Sequence, residues 1–118
     1  MPLARVVCSA SPIDPSAARR LLADLSKLLA KELAKPEAYV MTCLDAPAAM
    51  TFGGSDAPAA YVEIKNVGRF TSERTRALSA TLCPLVGAAL GIKPDRIYIE
   101  FTNAEGYLWG HDGDTFGD

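Results

Sequence analysis

The first feature with chemical potential is a proline directly after the initiating methionine. Methionine before a small residue is normally removed, and its removal would leave the secondary amine of Pro2 at the chain terminus. An α-amino group titrates near ~7.7–8.0, and burial or a neighbouring cation lowers that pKa. Pro2 could then act as a neutral base held rigid by its ring. Taken alone, however, a Met-Pro start is more often a proline that simply begins a strand.

Two lysines each stand directly before a proline. Lys35 follows the first helical segment and Lys93 follows the second. An ammonium group there could hold the carboxylate of an acidic substrate. A lysine is also favoured at the end of a helix by the helix dipole. The spacing alone leaves both interpretations open for Lys35.

Cysteine and acidic residues do not form a recognisable metal or disulfide pattern. The three cysteines (Cys8, Cys43 and Cys83) are widely spaced and include no CxxC pair. We therefore expect buried free thiols in a reducing compartment. The segment 111–114 (HDGD) reads as a turn, because calcium needs more oxygen ligands than two aspartates supply. No metal and no organic cofactor is predicted.

Length and composition limit the classes of function. The 118 residues fit a single domain covering 1–118, and 49% of them are hydrophobic, enough for a packed core. The formal net charge is −2 and no basic run occurs, which argues against nucleic-acid or anionic-membrane partners. The N-terminus lacks the apolar core of a signal peptide, and no stretch is long enough to span a membrane. We expect a cytoplasmic protein, with any export following a non-classical route.

The elements that must position these residues alternate between strand and helix. Asp14 and Pro15 predict the start of a helix that carries leucines at helical spacing and stops at Pro36. Thr71 or Ser72 predicts the start of a second helix, with a kink expected at Pro84. Strands are predicted over four segments: 3–9, 39–44, 60–68 and 92–101.

The two halves of the chain resemble each other at an offset of 58 residues. KPEAYVMTCL begins at Lys35, KPDRIYIEFT begins at Lys93, and the same offset lays PLARVVCS over AYVEIKNV. We predict an α+β domain of two βαβ units that share a four-stranded mixed sheet, with both helices on one face.

Along 97–102, apolar residues alternate with Tyr98, Glu100 and Thr102. The second face of the sheet therefore suits a subunit interface, and we expect a closed homo-oligomer.

Four segments together carry a resemblance to a known family. Met-Pro at the start, KPEAY, MTFGGSDAP and KPDRIYIEF are similar to the macrophage migration inhibitory factor family of the tautomerase superfamily. The similarity extends nearly end to end, and the FGGS and PDRIYI pieces are the most distinctive. The resemblance implies a homotrimer, with pockets between subunits, that tautomerises phenylpyruvate and dopachrome-like compounds. Some members of this family also act as extracellular signals.

The resemblance also assigns roles to individual residues. It implies that Pro2 is the catalytic base, that Lys35 binds the substrate carboxylate and that Tyr98 lines the pocket from the neighbouring subunit. Lys93 does not fall on the motif position, and we interpret it as structural. Further substrate contacts are expected at Tyr39, Asn66, Val67, Glu100 and Phe116.

The sequence departs from the family pattern at several positions. Glu100 stands where better-known members have an asparagine, and Lys65 and Asn66 also differ from the best-known pattern. His111 replaces a tryptophan, and neither it nor Trp109 receives a role. Ala59 and Val62 occupy positions of a CxxC in animal members, so no thiol–disulfide activity is expected.

Three hypotheses of function follow. The first is a tautomerase of phenylpyruvate-like 2-keto acids with Pro2 as general base. The second is a cytokine-like binding protein with vestigial activity, whose receptor surface one sequence cannot identify. The third keeps Pro2 but uses Glu100 to activate water, as in the hydratase, dehalogenase or decarboxylase members of the superfamily. A solvated Glu100, paired with an arginine, is the plain alternative.

Overall fold

A computed structural model describes residues 1–117 and confirms the predicted α+β architecture. The principal elements are β1 (Leu3–Cys8), α1 (Pro15–Glu32), β2 (Met41–Asp45), β3 (Ala60–Val67), α2 (Ser72–Leu90) and β4 (Ile97–Ala104). The four strands form one sheet in the order β2-β1-β3-β4. The outer pairs β1·β2 and β3·β4 are parallel, and the central pair β1·β3 is antiparallel.

Both helices begin where the sequence predicts. Asp14 caps α1, its side chain accepting a hydrogen bond from the backbone N–H of Ser16, and Pro15 occupies the first turn. Thr71 caps α2 by accepting from the N–H of Arg74. The second helix is continuous through Pro84, which is exposed. Ala80, whose carbonyl loses its usual donor, is exposed as well, so water can supply the missing hydrogen bond.

The predicted starts of β2 and β4 are too early. Short 3₁₀ turns at Glu37–Tyr39 and Pro94–Arg96 precede the strands, which begin at Met41 and Ile97. Each turn redirects the chain from the end of a helix back to the sheet edge. Tyr39 therefore lies on a turn, and this places its ring beside the N-terminus.

The core lies between the helices and one face of the sheet. It includes Val6 and Val62 on the central strands, with Leu25 of α1 and Leu82 of α2, all fully buried. The alternation predicted for β4 is confirmed, because Ile97, Ile99 and Phe101 belong to or pack against this core.

The sheet face away from the helices, called here the open face, carries a charged network. Arg5 donates to Asp45 and to Glu63, each at 2.9 Å, and Lys65 lies 3.5 Å from Glu63. The hydrogen bond from Arg5 holds the pKa of the Glu63 carboxyl below its usual range and raises the pKa of Arg5. Arg5 and Glu63 are directly paired in register and are also equivalent at the 58-residue offset. They therefore mark the pseudo-twofold centre of the sheet.

No helix within residues 1–117 is both long enough and apolar enough to cross a membrane.

Candidate active site at the N-terminus

A cavity of about 230 Å³ surrounds the start of the chain. Pro2 is fully buried, and its carbonyl accepts a hydrogen bond from the N–H of Met41 at 3.0 Å, which fixes it between β1 and β2. The cavity is lined by Met1, Pro2, Leu3, Ala38, Tyr39, Val40, Met41, Trp109, Gly110, His111 and Phe116. Three predicted site residues, Pro2, Tyr39 and Phe116, therefore meet in one wall.

The N-terminal methionine lies in this cavity. Its ammonium group donates a 2.7 Å hydrogen bond to the carbonyl of Tyr39. Burial lowers the pKa of this amine, and the charge of Lys35 lowers it further. The N-terminal corner is thus an environment that favours a neutral amine.

Lys35 reaches from the end of α1 to the end of β3. Its backbone N–H bonds to the carbonyl of Ala30, after Ala34 has taken a left-handed conformation with φ of 52°. Its ammonium group donates to the carbonyl of Val67 at 3.1 Å, in a partly buried position. The ammonium therefore binds β3, and it does not cap the carbonyls of its own helix. One of its three N–H donors is used in this contact, which leaves two for another partner.

A short hairpin supplies the far wall of the cavity. Strands β5 (Gly110–His111) and β6 (Asp114–Thr115) are joined by Asp112 and Gly113, which both have positive φ, as a tight hairpin turn requires. The turn predicted for this segment is confirmed.

The hairpin is anchored to a preceding turn at Gly106. The N–H of Phe116 donates to the carbonyls of Gly106 and Trp109. A side chain at Gly106 would meet the carbonyl oxygen of Phe116 at 2.6 Å, so this close approach requires glycine.

The aromatic wall contains two residues to which the sequence assigned no role. His111 lies edge-on to Tyr39, with ring centroids 5.7 Å apart, and stacks on Phe116 at 5.6 Å. Trp109 lines the same cavity. Two sequence signals pointed to His111, its place beside the Asp-Gly turn and its replacement of a family tryptophan. Neither signal states what the side chain contacts.

Five predicted site residues do not line this cavity in their own chain: Lys35, Asn66, Val67, Tyr98 and Glu100. Tyr98 and Glu100 project from the open face of β4, where the ring of Tyr98 lies 4.6 Å from that of Phe52. Glu100 is exposed and accepts a hydrogen bond from the Thr102 hydroxyl, whose oxygen lies 2.6 Å from the nearer carboxylate oxygen. Asn66 is 5% exposed on the helix side of β3, and its Oδ1 has no partner within residues 1–117.

The distinctive FGGS segment is held by a single arginine. Arg96 donates hydrogen bonds of 2.9–3.2 Å to four carbonyls, those of Phe52, Ser55, Ala57 and Pro58. Its guanidinium group also lies 5.3 Å from the centre of the Phe52 ring. The two sequence pieces that carry the family resemblance most strongly are therefore partners in one structural contact.

No cluster of His, Cys, Asp and Glu side chains within residues 1–117 is arranged to hold a metal ion. Cys8, Cys43 and Cys83 are free thiols. Burial raises the pKa of Cys8, which keeps its sulfur in the unreactive thiol form.

Comparison with known proteins shows the family to which the chain belongs. The model of the family described as macrophage migration inhibitory factor (MIF) matches residues 1–117. A homologue from Trichuris trichiura is 39% identical over 95 residues, covering 80% of this chain and 83% of that protein. The crystal structure of a homologue from Prochlorococcus marinus is 43% identical with a TM-score of 0.91, covering 98% of this chain and 99% of that chain. The factor from Toxoplasma gondii is 32% identical, also with a TM-score of 0.91, over 97% and 99%. The chain therefore belongs to the macrophage migration inhibitory factor family.

Proposed function

We propose that the mature chain is a keto–enol tautomerase of phenylpyruvate-like 2-keto acids, with the N-terminal amine of Pro2 as general base. The observation that carries this proposal is the setting of the N-terminus. Burial and the charge of Lys35 lower the pKa of the amine of Met1. Pro2 is fully buried in the same corner while Met1 is present, and removal of Met1 would make the Pro2 nitrogen the terminal amine.

The proposed reaction moves one proton between two atoms of the substrate. The neutral Pro2 nitrogen takes a proton from C3 of the keto acid, and the C–H electron pair forms the C2–C3 double bond. The C=O π pair moves to the oxygen, which takes the same proton back from the protonated Pro2 nitrogen to give the enol, and the reverse sequence regenerates the ketone. Lys35 holds the carboxylate with the two donors that Val67 leaves free. Tyr39 and Phe116 contact the substrate ring, and no cofactor takes part.

The proposal includes a homotrimer in which a neighbouring chain contributes Tyr98 to each pocket. Tyr98 is 66% exposed and lies outside its own chain's cavity. An exposed aromatic on a sheet face suits an interface that excludes water. Light scattering should give three times the chain mass, and a single monomeric species would reject this part of the proposal. The free thiols favour a reducing compartment such as the cytoplasm.

The decisive experiment blocks the amine without removing the proline ring. Enol-to-keto conversion of phenylpyruvate is measured for the mature protein and for a variant with alanine inserted between Met1 and Pro2. Mass spectrometry confirms the N-terminus of each, and thermal unfolding confirms that both fold. We expect the insertion to lower kcat/KM by about 10²–10⁴-fold, the usual contribution of a general base. Equal slow rates in two folded proteins would reject the proposal and favour a binding protein.

Product analysis addresses the alternative that uses Glu100. The carboxylate lies on the open face with its hydrogen bond from Thr102, so it reaches a substrate only if assembly brings it to a neighbour's pocket. Turnover of a halo-acrylate or of malonate semialdehyde, lost in Glu100→Gln, would favour water addition or decarboxylation over tautomerisation.

A further inference from the structure

Another cavity, of about 280 Å³, lies on the helix side of the sheet, where the end of α1 comes near the start of α2. The polar residues of its lining are Glu32, Asn66, Arg69, Thr71 and Arg74. None of these residues lines the cavity at the N-terminus. The two cavities are therefore separate, and the proposed tautomerase reaction does not use this one.

Asn66 is the buried member of this lining. It is 5% exposed, and its Oδ1 is buried without a hydrogen-bond partner in the part of the chain that the structure describes. A side chain at Gly68 would lie 3.6 Å from Nδ2, which places the amide beneath the turn from β3 to α2. A buried acceptor without a partner is destabilising. The oxygen of Asn66 therefore needs a donor that the described residues do not supply.

The start of α2 and Arg69 supply hydrogen-bond donors around the same cavity. The hydroxyl of Thr71 accepts from the N–H of Arg74, which leaves the N–H groups of Ser72 and Glu73 without a partner within residues 1–117. N–H groups at the start of a helix point outward along its axis and favour an anion. The guanidinium of Arg69 forms no ion pair with any residue of 1–117, so its donors are available as well.

The charges and the hydrogen-bonding groups together select one kind of ligand. Arg74 donates to Glu32 at 3.1 Å, so these two charges are paired and Arg69 supplies the remaining positive charge. A ligand must accept from Arg69 and from the helix N–H groups, and it must donate to Oδ1 of Asn66. A carboxylate or a sulfate ion only accepts, whereas a monoanionic phosphate group has a hydroxyl beside its acceptor oxygens.

We propose that this cavity binds a monoanionic phosphate group, that of inorganic phosphate or of a phosphate monoester. Arg69 and the start of α2 bind the phosphate oxygens, and the phosphate hydroxyl donates to Asn66. The site does not depend on the proposed function. It adjoins the candidate active site along the chain, because Ala34 precedes Lys35 and Asn66 precedes Val67, the two residues joined by the 3.1 Å hydrogen bond.

The test titrates inorganic phosphate and glycerol 2-phosphate at a pH of about 5.5, below the second pKa of about 6 of a phosphate monoester. The amide chemical shifts of Ser72 and Glu73 follow binding, and thermal unfolding confirms that each variant folds. We expect saturable shifts in the mature protein, and the tighter of the two phosphates identifies the source. Arg69→Gln should raise Kd by about 10- to 100-fold, because charge-assisted hydrogen bonds are lost. Arg76→Gln, an exposed arginine of α2 outside the cavity, is the matched control and should leave Kd unchanged.

Sulfate tests the role of Asn66, because it has no hydroxyl to donate. Phosphate should bind about 10-fold more tightly than sulfate, as one hydrogen bond involving a charged group implies, and Asn66→Leu should abolish most of this preference. The leucine removes the unpaired oxygen at similar volume, so the variant should fold. No saturable shift, equal losses in Arg69→Gln and Arg76→Gln, or a preference unchanged in Asn66→Leu would each overturn the proposal. Binding lost in Lys35→Ala and kept in Arg69→Gln would also overturn it, because the anion would then lie in the N-terminal cavity.

Discussion

The two halves of this domain place equivalent residues at two corners of the sheet, with different outcomes. At the 58-residue offset, Pro2 corresponds to Ala60 and Lys35 to Lys93. At the first corner the chain begins, and a cavity opens around Pro2. At the second corner, Ala60 follows a loop in which Arg96 donates hydrogen bonds to four backbone carbonyls. Ala60 itself is 2% exposed. Arg96 itself corresponds to Ala38, which cannot make such contacts.

The difference indicates how one repeated scaffold can hold a candidate active site at one corner and a stabilising contact at the other. Each corner contains the start of a strand, β1 or β3. In each half, a lysine before a proline leads into a 3₁₀ turn that precedes the neighbouring strand, β2 or β4. Only at the first corner does the proposed function require a free amine, that of Pro2. At the second corner, the equivalent residue, Ala60, follows the loop that Arg96 holds in place. The candidate active site therefore arises where the internal symmetry is broken, and the following experiments test that separation.

The largest effect should distinguish the two equivalent lysines. Lys35→Ala should lower kcat/KM for phenylpyruvate by about 10–100-fold, because a charge-assisted hydrogen bond to the carboxylate is lost. Lys93→Ala is the matched control and should leave activity unchanged. Removing the Lys35 charge should also raise the pKa of the terminal amine and shift the pH profile of kcat/KM to higher pH. Equal losses in both variants would remove the functional distinction between the corners.

A smaller effect, on stability, should appear at the second corner. Arg96→Met removes four hydrogen bonds to carbonyls and should lower the free energy of unfolding by about 2–3 kcal/mol. Urea denaturation of the mature protein measures it. Arg19→Met, at an exposed position of α1, is the control and should change stability little. If Arg96→Met also changed little, the FGGS loop would be held by its other contacts.

The smallest effect concerns the centre of the pseudosymmetry. Glu63 has a lowered pKa because Arg5 donates to it. The pair therefore adds stability above the ordinary glutamate pKa of ~4.3, and this contribution is lost as pH falls through the lowered pKa. Glu63→Gln should flatten the loss of thermal stability in that acid range. Glu105→Gln, at an exposed position, should keep the wild-type slope, and an identical slope in all three proteins would show that the pair adds nothing.

Much of the fold was predictable because its signals are local. The Asp14 cap, the spacing of leucines in α1 and the alternation around Tyr98 each involve neighbouring residues, and the structure confirms them. The strand starts were less predictable. A 3₁₀ turn after Pro36 and another at Pro94 depend on where the sheet edge lies relative to the helix end, which no local pattern states.

The sequence alone determined the repeat, the two helices, the mixed sheet and the candidacy of Pro2 and Lys35. Only the tertiary structure decided that the ammonium of Lys35 binds Val67 and that His111 joins Tyr39 and Phe116. The physical reason is that each of these outcomes depends on segments distant in the chain. Packing of the helices and the C-terminal hairpin against one sheet brings those segments together, and residue type or spacing cannot report that packing.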